Sequence, residues 1–407
     1  MTPTKVIEVE LSDPATNHAC PDHALAKVLV RVHGTPVGFL DLPVTDGRLQ
    51  DDVVRAAAFE RLDVAGHLAA DGISDPQQPG SGWACQARGP QPEPTTMSVV
   101  LCTRDRADSV RVALRSVLAS AGPDVDVVVV DNAPRTDATR TVVEELADPR
   151  VQYLLEPRAG LSVARNTGAR AAAGAAIAFT DDDVVVDADW LRRLRLGFTR
   201  SARVGCVTGL VPSAELETAP QHFFDAKVHW SSSTTPRLFD LVDHRGDSAL
   251  YPYASGMVGT GANFAVLRSA YDALGGFDEA LGAGALTRGG EDLDWFVRTL
   301  TGGWTIAYEP AAVVWHRHRS DLASLSDQLY GYGTGLTAYL AKHALTARGF
   351  RQMTRSAVRG VRYSQGKHEE SLEAGIDPAL LRRERVGMLH GPLLYLRARR
   401  RVAQARR

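Results

Sequence analysis

Apolar runs alternate with amphipathic stretches along the middle of the chain. Runs rich in valine have the length and composition of buried strands at 98–103, 125–130, 151–155 and 175–180. Between these runs, apolar residues recur at helical spacing at 108–120, 136–146 and 161–173. Further strands are predicted at 204–211, at the end of 256–266, at 304–306 and at 312–316, and a further helix at 290–300. Apolar strands that alternate with helices are typical of a parallel sheet covered on both faces, so the predicted fold class is α/β.

The two ends of the chain follow other patterns. Near the N-terminus, strands are predicted at 26–32 and 36–42 and a helix over 51–70. After about residue 320 the predicted helices become increasingly basic. The predicted division is a small α+β module at 1–75, a linker rich in proline and glycine at 76–96, an α/β catalytic domain at 97–320 and a helical region at 321–407.

Composition limits the class of protein. Of the 407 residues, 44% are hydrophobic and 23% charged, which excludes a chain that is disordered throughout. The four cysteines form no C-x-x-C pair, which argues against a disulfide framework or a zinc site. No apolar run approaches the roughly 18 residues of a membrane span. The N-terminus has no signal-peptide pattern. The predicted location is cytoplasmic.

The net charge of −2 is unevenly distributed. Residues 321–407 carry 16 Lys and Arg against 7 Asp and Glu, and the last eleven residues, RARRRVAQARR, contain six arginines and no acid. Together with the nearby leucines, this tail is predicted to bind an anionic membrane at the inner face of the cell membrane; a solvated terminus explains the same residues equally well. Nucleic acid is not expected as a partner, since the basic residues do not alternate with aromatic ones.

Three consecutive aspartates follow the predicted strand at 175–180. In extended backbone, Asp181 and Asp183 point to the same side and Asp182 to the other. Two carboxylates that converge repel each other unless a cation lies between them, and Mg²⁺ and Mn²⁺ are the ions that suit such ligands. The simpler alternative is a solvated acidic turn. At the end of a buried strand, where α/β sheets bind ligands, we favour a metal site.

Other polar residues are predicted at the same edge of the sheet. Thr103 and Asp131 end the first and second strands of the α/β domain. Glu291 and Asp292 begin a predicted helix. Acidic residues are common in the first helical turn because they interact favourably with the helix dipole, so the pair alone does not establish a catalytic base.

Seven motifs occur in an order that resembles one enzyme family. They are VVLCTRDR, VVVVDNAP, EPRAGLSVARNTGA, IAFTDDD, GTGANFAVLR, GGEDLDWFVR and VVWH. Over about residues 97–320, the series resembles family 2 glycosyltransferases with the GT-A fold, including actinobacterial and galactofuranosyl-transferring members. The resemblance implies a Rossmann-like, mostly parallel sheet with helices on both faces. It also implies inverting transfer of a sugar, with Mn²⁺ or Mg²⁺, from a nucleotide-diphosphate donor to a hydroxyl of the acceptor, which is a lipid-linked or cell-envelope glycan or a small molecule.

The resemblance also implies a role for each matching residue. Asp292 is the expected base, with Glu291 beside it. Asp181, Asp183 and His316 are the expected metal ligands. Seven residues are expected to bind the donor. They are Thr103, Arg104 and Asp131 at the nucleoside, Arg158 and Arg165 at the diphosphate, and also Asp181 and Asp182.

Two alternatives belong to other classes. A nucleotidyltransferase also uses aspartates and a metal on an α/β sheet, but it would need a phosphate loop rich in glycine and lysine near the start of the domain, and CTRDRADS contains neither residue. A nucleotide-sugar-binding protein without activity would not need both the aspartate triplet and the Glu-Asp pair. We therefore expect an enzyme.

Overall fold

The computed structural model describes residues 2–70, 96–228, 230–248, 250–346, 349–351 and 377–405. The predicted linker lies outside the described residues except for Thr96. The strands are β1 Thr4–Glu10, β2 His18–Ala19, β3 Leu25–Val32, β4 Thr35–Pro43, β5 Arg48–Leu49, β6 Met97–Thr103, β7 Val125–Asn132, β8 Val151–Glu156, β9 Ala176–Thr180, β10 Val184–Val186, β11 Val204–Leu210, β12 Arg237–Phe239, β13 Asn263–Leu267 and β14 Thr305–His316. The α-helices are α1 Asp51–Arg61, α2 Val64–Ala70, α3 Ala107–Ser120, α4 Ala138–Leu146, α5 Leu161–Ala171, α6 Trp190–Phe198, α7 Ala219–Val228, α8 Arg268–Leu274, α9 Glu291–Thr301, α10 Leu322–Ala344 and α11 Pro378–Ala405.

A nine-stranded mixed sheet forms the centre of the molecule. Its strand order is β10-β14-β11-β13-β9-β6-β7-β8, and β12 pairs with β14. The strands β9, β6, β7 and β8 are parallel, as are β11 and β14, whereas β13 runs antiparallel to both of its neighbours. The predicted α/β class, with a mixed, mostly parallel sheet, is confirmed.

Helices cover both faces of this sheet because its strands are apolar on both sides. Val99 and Leu101 of β6 pack in one core with α3, α4 and α6. Val100 and Cys102 point the other way, into a second core with α5, α8 and α9. The helices that carry the candidate site are therefore fixed against the sheet by buried apolar contacts.

Two predicted elements differ in the structure. The strands predicted at 304–306 and 312–316 are one strand, β14, whose pairing with β11 shifts between Gly209 and Leu210. Pro310 lies in this irregularity, where the backbone donor that it lacks is not needed by the ladder. The helix predicted over 51–70 is two helices, α1 and α2, because the backbone at Leu62 is extended and the Asp63 carboxylate accepts a hydrogen bond from the Gly66 backbone N–H at 3.0 Å.

The N-terminal residues form a three-stranded sheet in the order β1-β3-β4, with α1 and α2 packed in its core. Its strand β1 was not predicted, because charged residues interrupt the apolar positions of Thr4–Glu10. Two ion pairs join β3 to the central domain: Arg31 to Asp187 at 2.9 Å and Lys27 to Asp225 at 2.6 Å. These contacts fix the N-terminal sheet beside the edge of the central one.

At the other end of the chain, α10 and α11 pack side by side. Their backbones approach closely at glycines: a Cβ at Gly387 would lie 2.3 Å from the Tyr330 carbonyl oxygen, and one at Gly391 would lie 2.4 Å from that of Thr334. The Gly335 backbone of α10 lies against Gly290, directly before α9. The helical pair thus supports the start of α9. Among the described residues, no helix is long and apolar enough to cross a membrane.

Candidate active site

The candidate site is a single cavity of about 1910 Å³ at the carboxyl ends of the central strands. Thr103 ends β6, the aspartate triplet follows β9 and His316 ends β14, while Glu291 and Asp292 begin α9. The predicted site residues that line the cavity are Thr103, Arg104, Arg165, Asp181, Asp182, Asp183, Glu291, Asp292 and His316. Residues distant in sequence therefore meet at one place.

Asp181, Asp183 and His316 form a group with the geometry of a metal site. One potential ligand atom from each residue lies within 4.8 Å of the others. The pairing of β10 with β14 explains this proximity, because it sets Val184 opposite His316, so that Asp183 lies beside the imidazole. His316 Nε2 lies 3.2 Å from Asp183 Oδ1. Two carboxylates and an imidazole are a donor set that suits Mn²⁺ or Mg²⁺.

Asp182 points away from this group, as the alternation of extended backbone requires. Its carboxylate accepts hydrogen bonds from the Thr103 hydroxyl at 2.7 Å and from Arg106 at 2.8 Å. Arg106 also donates to Asp183 at 3.0 Å. Asp182 and Thr103 thus hold the end of β9 against the end of β6.

Two arginines of the site were missed by the sequence analysis. Arg106 and Arg319 both line the cavity, and Arg319 Nη2 lies 3.5 Å from Asp183 Oδ2. Both occur next to predicted site residues, in TRDR and HRHR, and this proximity in sequence was the available signal. They place positive charge where anionic phosphates would bind.

The electrostatics of the metal-site candidates differ from residue to residue. Loss of hydration raises the pKa of Asp181 to about 6; Arg165 opposes this rise and Asp183 adds to it. Burial acts in the same direction on Asp183, but His316 and Arg106 outweigh it and hold the pKa of Asp183 well below its usual range. Burial lowers the pKa of His316, yet Asp183 more than compensates, so the net shift is upward. In the absence of a cation, Asp183 is therefore stabilised as a carboxylate beside an imidazole that tends to be protonated.

Arg165 connects the metal-site candidates to α9. Its side chain is buried, and its guanidinium donates to Glu291 at 3.0 Å, to Asp181 at 3.2 Å and to the Gly261 carbonyl oxygen at 2.9 Å. From the sequence, this arginine was expected at the donor diphosphate. In the structure these three hydrogen bonds join it to α9 and to the end of β9, and it also lines the cavity, so its role at the diphosphate stays a prediction.

Asp292 lies half-buried at the first turn of α9. Its Oδ2 accepts the backbone N–H of Gly261 at 2.8 Å, and a Cβ at Gly261 would come 3.1 Å from that oxygen. Burial, with the negative charge of Asp292 added, raises the pKa of the neighbouring Glu291 to about 7. Asp292 thus presents a held carboxylate to the cavity that also contains Asp183.

Two of the predicted donor-binding residues are not among those that line the cavity. Arg158 is half-exposed and pairs with Glu156 at 3.0 Å. Asp131 is buried and accepts a hydrogen bond from the Tyr153 hydroxyl at 2.9 Å, and burial raises its pKa. Its other oxygen, Oδ1, is buried and has no hydrogen-bond partner among the described residues. The neighbouring Asn132 does line the cavity.

The sequence is similar to known sugar transferases. The family described as Glycosyl transferase family 2 matches residues 98–274. The succinoglycan biosynthesis protein ExoM of Rhizobium meliloti (strain 1021) is 30% identical over 278 residues, which are 65% of this chain and 81% of that protein. A pre-mycofactocin glycosyltransferase of Mycobacterium tuberculosis is 27% identical over 316 residues, which are 76% of this chain and 59% of that protein.

A solved structure is also similar. It is a mannosyltransferase from Pyrobaculum calidifontis in complex with GDP-Man and Mn²⁺, 18% identical, with a TM-score of 0.47 over 77% of this chain and 90% of that one. The sequence relatives, above all the first, carry the assignment. This protein is a glycosyltransferase and belongs to glycosyltransferase family 2.

Proposed function

We propose that this glycosyltransferase moves a sugar from a nucleotide-diphosphate donor to an acceptor hydroxyl, with inversion at the anomeric carbon and with Mn²⁺ or Mg²⁺ at Asp181, Asp183 and His316. One observation carries the proposal. The three metal-ligating candidates and Asp292 line the same cavity although they come from three separate parts of the chain.

The donor set fits a divalent cation that prefers oxygen ligands and accepts one imidazole. A bound cation would stabilise the charge that develops on the nucleoside diphosphate as it leaves. Arg106 and Arg319, on the same wall, would add positive charge for the phosphate oxygens.

Asp292 is the proposed base. As the acceptor oxygen forms its bond to the anomeric carbon, the bond from that carbon to the diphosphate breaks and the hydroxyl proton moves to the Asp292 carboxylate. The Gly261 N–H, which donates to Oδ2, fixes the orientation of the carboxylate. Attack from the side opposite the leaving group inverts the configuration.

Asp131 remains the proposed contact for the nucleoside. Its unpaired Oδ1 is an acceptor that a base N–H or a ribose hydroxyl would satisfy, and an unsatisfied buried acceptor is costly. Thr103 and Arg104, at the end of the neighbouring strand, extend the same edge. Arg158 is proposed to reach the diphosphate, for which it would have to leave Glu156.

The acceptor is proposed to be lipid-linked or part of a cell-envelope glycan. Met388 and Arg385 of α11 line the cavity, and the next turn of the helix exposes a stripe of leucines, Leu389, Leu393 and Leu396. Arginines flank the stripe on both sides in sequence. Exposed leucines and basic residues on one helix fit the surface of an anionic membrane, which would bring a lipid-linked acceptor to the cavity. A relative named for succinoglycan biosynthesis is in keeping with a glycan acceptor.

Thermal unfolding with a panel of UDP-, GDP- and dTDP-sugars tests the donor assignment. Because a ligand that binds the folded state raises its apparent stability, we expect at least one nucleotide to raise Tm with Mn²⁺ and not with EDTA. The Asp183→Asn variant should lose this shift. A panel without any Mn²⁺-dependent shift would contradict the proposal, and formation of pyrophosphate from a nucleoside triphosphate would favour a nucleotidyltransferase instead.

A further inference from the structure

A chain of buried and half-buried hydrogen bonds leads from the N-terminal sheet to the metal-site candidates. We propose that Lys27, Asp225, Ser213 and His318 are positioning residues that hold His316 in the tautomer whose Nε2 lone pair faces the metal site. This inference rests on the proposed metal-binding role of His316. It gives the N-terminal sheet a part in the chemistry of a cavity that it does not itself line.

The contacts form an unbroken series. Lys27 Nζ lies 2.6 Å from Asp225 Oδ2, and the other carboxylate oxygen, Oδ1, lies 2.5 Å from the Ser213 hydroxyl. The same hydroxyl lies 2.7 Å from His318 Nε2. His318 Nδ1 then lies 3.1 Å from His316 Nδ1, and Nε2 of His316 faces Asp183.

The fold fixes each member of the series. Asp225 is on α7, and Lys27 is on β3 of the N-terminal sheet. Ser213 forms a β-bridge with His316. The backbone N–H of His316 donates to the Pro212 carbonyl oxygen at 2.9 Å. Since neighbouring backbone bonds hold Ser213 and His316 side by side, the hydroxyl cannot move far from the two imidazoles.

The direction of each hydrogen bond follows from the end of the series at Lys27 and Asp225. An Asp225 carboxylate held by Lys27 only accepts, so the Ser213 hydroxyl donates to it. The hydroxyl oxygen is then free to accept the N–H of His318 Nε2. His318 packs against the rings of Phe224 and Trp230, with its centroid 4.6 Å from that of Phe224, and such surroundings favour a neutral ring.

A neutral His318 that donates from Nε2 accepts at Nδ1. The proton between the two rings then lies on Nδ1 of His316, so that a cation finds a lone pair on Nε2. Without a cation, Nε2 lies beside Asp183, which favours a second proton there. Hydrogen bonds to the far nitrogen commonly set the tautomer and orientation of metal-binding histidines, and loss of such a partner typically weakens metal binding about 10–100-fold. Here the partner at Nδ1 of His316 is a second histidine, His318. The acceptor at the other end of the series, Asp225, is held by Lys27 of the N-terminal sheet.

Mn²⁺ binding in the absence of nucleotide tests the inference. The dissociation constant is measured from the free Mn²⁺ signal in electron paramagnetic resonance for the wild type, Ser213→Ala, Ser213→Thr, Lys27→Met and His316→Gln. We expect about 10–100-fold weaker binding in Ser213→Ala, a smaller loss in Lys27→Met, and near wild-type binding in Ser213→Thr, which keeps the hydroxyl. His23→Gln removes another contact between the N-terminal sheet and the central domain, with Glu217, and is the matched control.

Nitrogen NMR of ¹⁵N-histidine-labelled protein saturated with Mg²⁺ gives a second, independent measurement. The wild type should show His316 protonated at Nδ1, and Ser213→Ala should lose this preference while its Tm shows that it is folded. Equal Mn²⁺ affinity in the wild type and Ser213→Ala, with binding lost in His316→Gln, would overturn the inference and leave the proposed function intact. A wild type that binds no Mn²⁺, or His316→Gln that binds as tightly as the wild type, would instead overturn the proposed metal site.

Discussion

At the scale of single residues, position at the end of a strand was the feature that best predicted which side chains belong to the candidate site. Asp181 and Asp183 could be placed at the edge of the sheet from sequence because they follow an apolar strand, whereas His316 was added to them by the family resemblance. Arg106 and Arg319 could not be selected in this way, because a long side chain reaches partners that strand order does not specify. The burial of Arg165 also depends on the contact between α5 and α9, which no local pattern encodes.

The role of Asp292 is the most specific prediction at this scale. The Asp292→Asn variant keeps the shape of the side chain and its hydrogen bond from Gly261 but cannot take a proton. We expect kcat to fall by about 10²–10⁴-fold, because general base catalysis is typically worth that much, while the affinity for the nucleotide stays within about twofold. Steady-state kinetics and calorimetric titration measure the two quantities.

Asp272→Asn serves as the control for this variant, since Asp272 is exposed on α8. It should leave both quantities unchanged. Full activity in Asp292→Asn would remove Asp292 from the role of base without affecting the metal assignment.

At the scale of elements, apolar strands were predicted well and mixed ones were not. The strands β6, β7 and β9 are buried on both faces and are continuous apolar runs. The partly polar β1 was missed, and β14 was divided in two by a proline that the structure accommodates in an irregular ladder. The close approach of Gly335 in α10 to Gly290, directly before α9, was not predicted, because contacts between distant elements are absent from local sequence patterns.

A buried charge cluster fixes α9 to α10. Asp294 is buried, and its carboxylate interacts with Arg298 at 2.8 Å, Lys342 at 2.9 Å and His343 at 3.0 Å. Asp294→Asn should lower the free energy of unfolding at neutral pH by about 1.5–3 kcal/mol, because Arg298 and His343 lose a charged partner whereas Lys342 keeps Asp278 at 2.9 Å. Chemical denaturation measures the loss.

The loss of unfolding free energy in Asp294→Asn should become smaller as pH falls. Burial alone would raise the pKa of Asp294, but Arg298 and Lys342 outweigh it and hold the pKa below the ordinary range. A lowered pKa in the folded state stabilises the protein above the unfolded value of about 4, and this stabilisation is lost as pH falls. The difference between wild type and variant should therefore shrink on acidification below about pH 4; a difference that grows would contradict the ionised cluster.

The close approach of α10 and α11 leads to a second prediction at the scale of elements. Gly387→Leu places a side chain where the Tyr330 carbonyl oxygen lies, so we expect a loss of at least about 1–3 kcal/mol in the free energy of unfolding. Ala403→Leu, on the exposed end of the same helix, should have little effect. Equal stability of the two variants would show that the helices do not approach at Gly387.

At the scale of the whole molecule, the uneven charge suggests that the two ends of the chain have different partners. The N-terminal sheet contacts the central domain through ion pairs, and α11 exposes leucines beside arginines. Composition identified the basic end. It could not show that the leucine stripe lies next to the cavity, because that depends on how α11 packs on α10.

Membrane binding can be measured directly by sedimentation with vesicles. The wild type should bind phosphatidylglycerol vesicles more strongly than phosphatidylcholine vesicles, and less at high salt, because basic residues contribute about 1 kcal/mol each near an anionic surface. Leu389→Asp with Leu393→Asp should reduce this binding strongly. Val53→Asp, which changes an exposed valine of α1, is the control, and equal binding by both variants would exclude the α11 stripe as the contact.

The most direct test of sugar transfer is the release of nucleoside diphosphate from a panel of nucleotide sugars with Mn²⁺, compared between the wild type and Asp183→Asn. We expect the wild type to turn over at least one donor, EDTA to stop the reaction, and the variant to be inactive while it remains folded. Turnover in Asp183→Asn at the wild-type rate, or cleavage between the two phosphates in place of the bond to the sugar, would contradict this expectation.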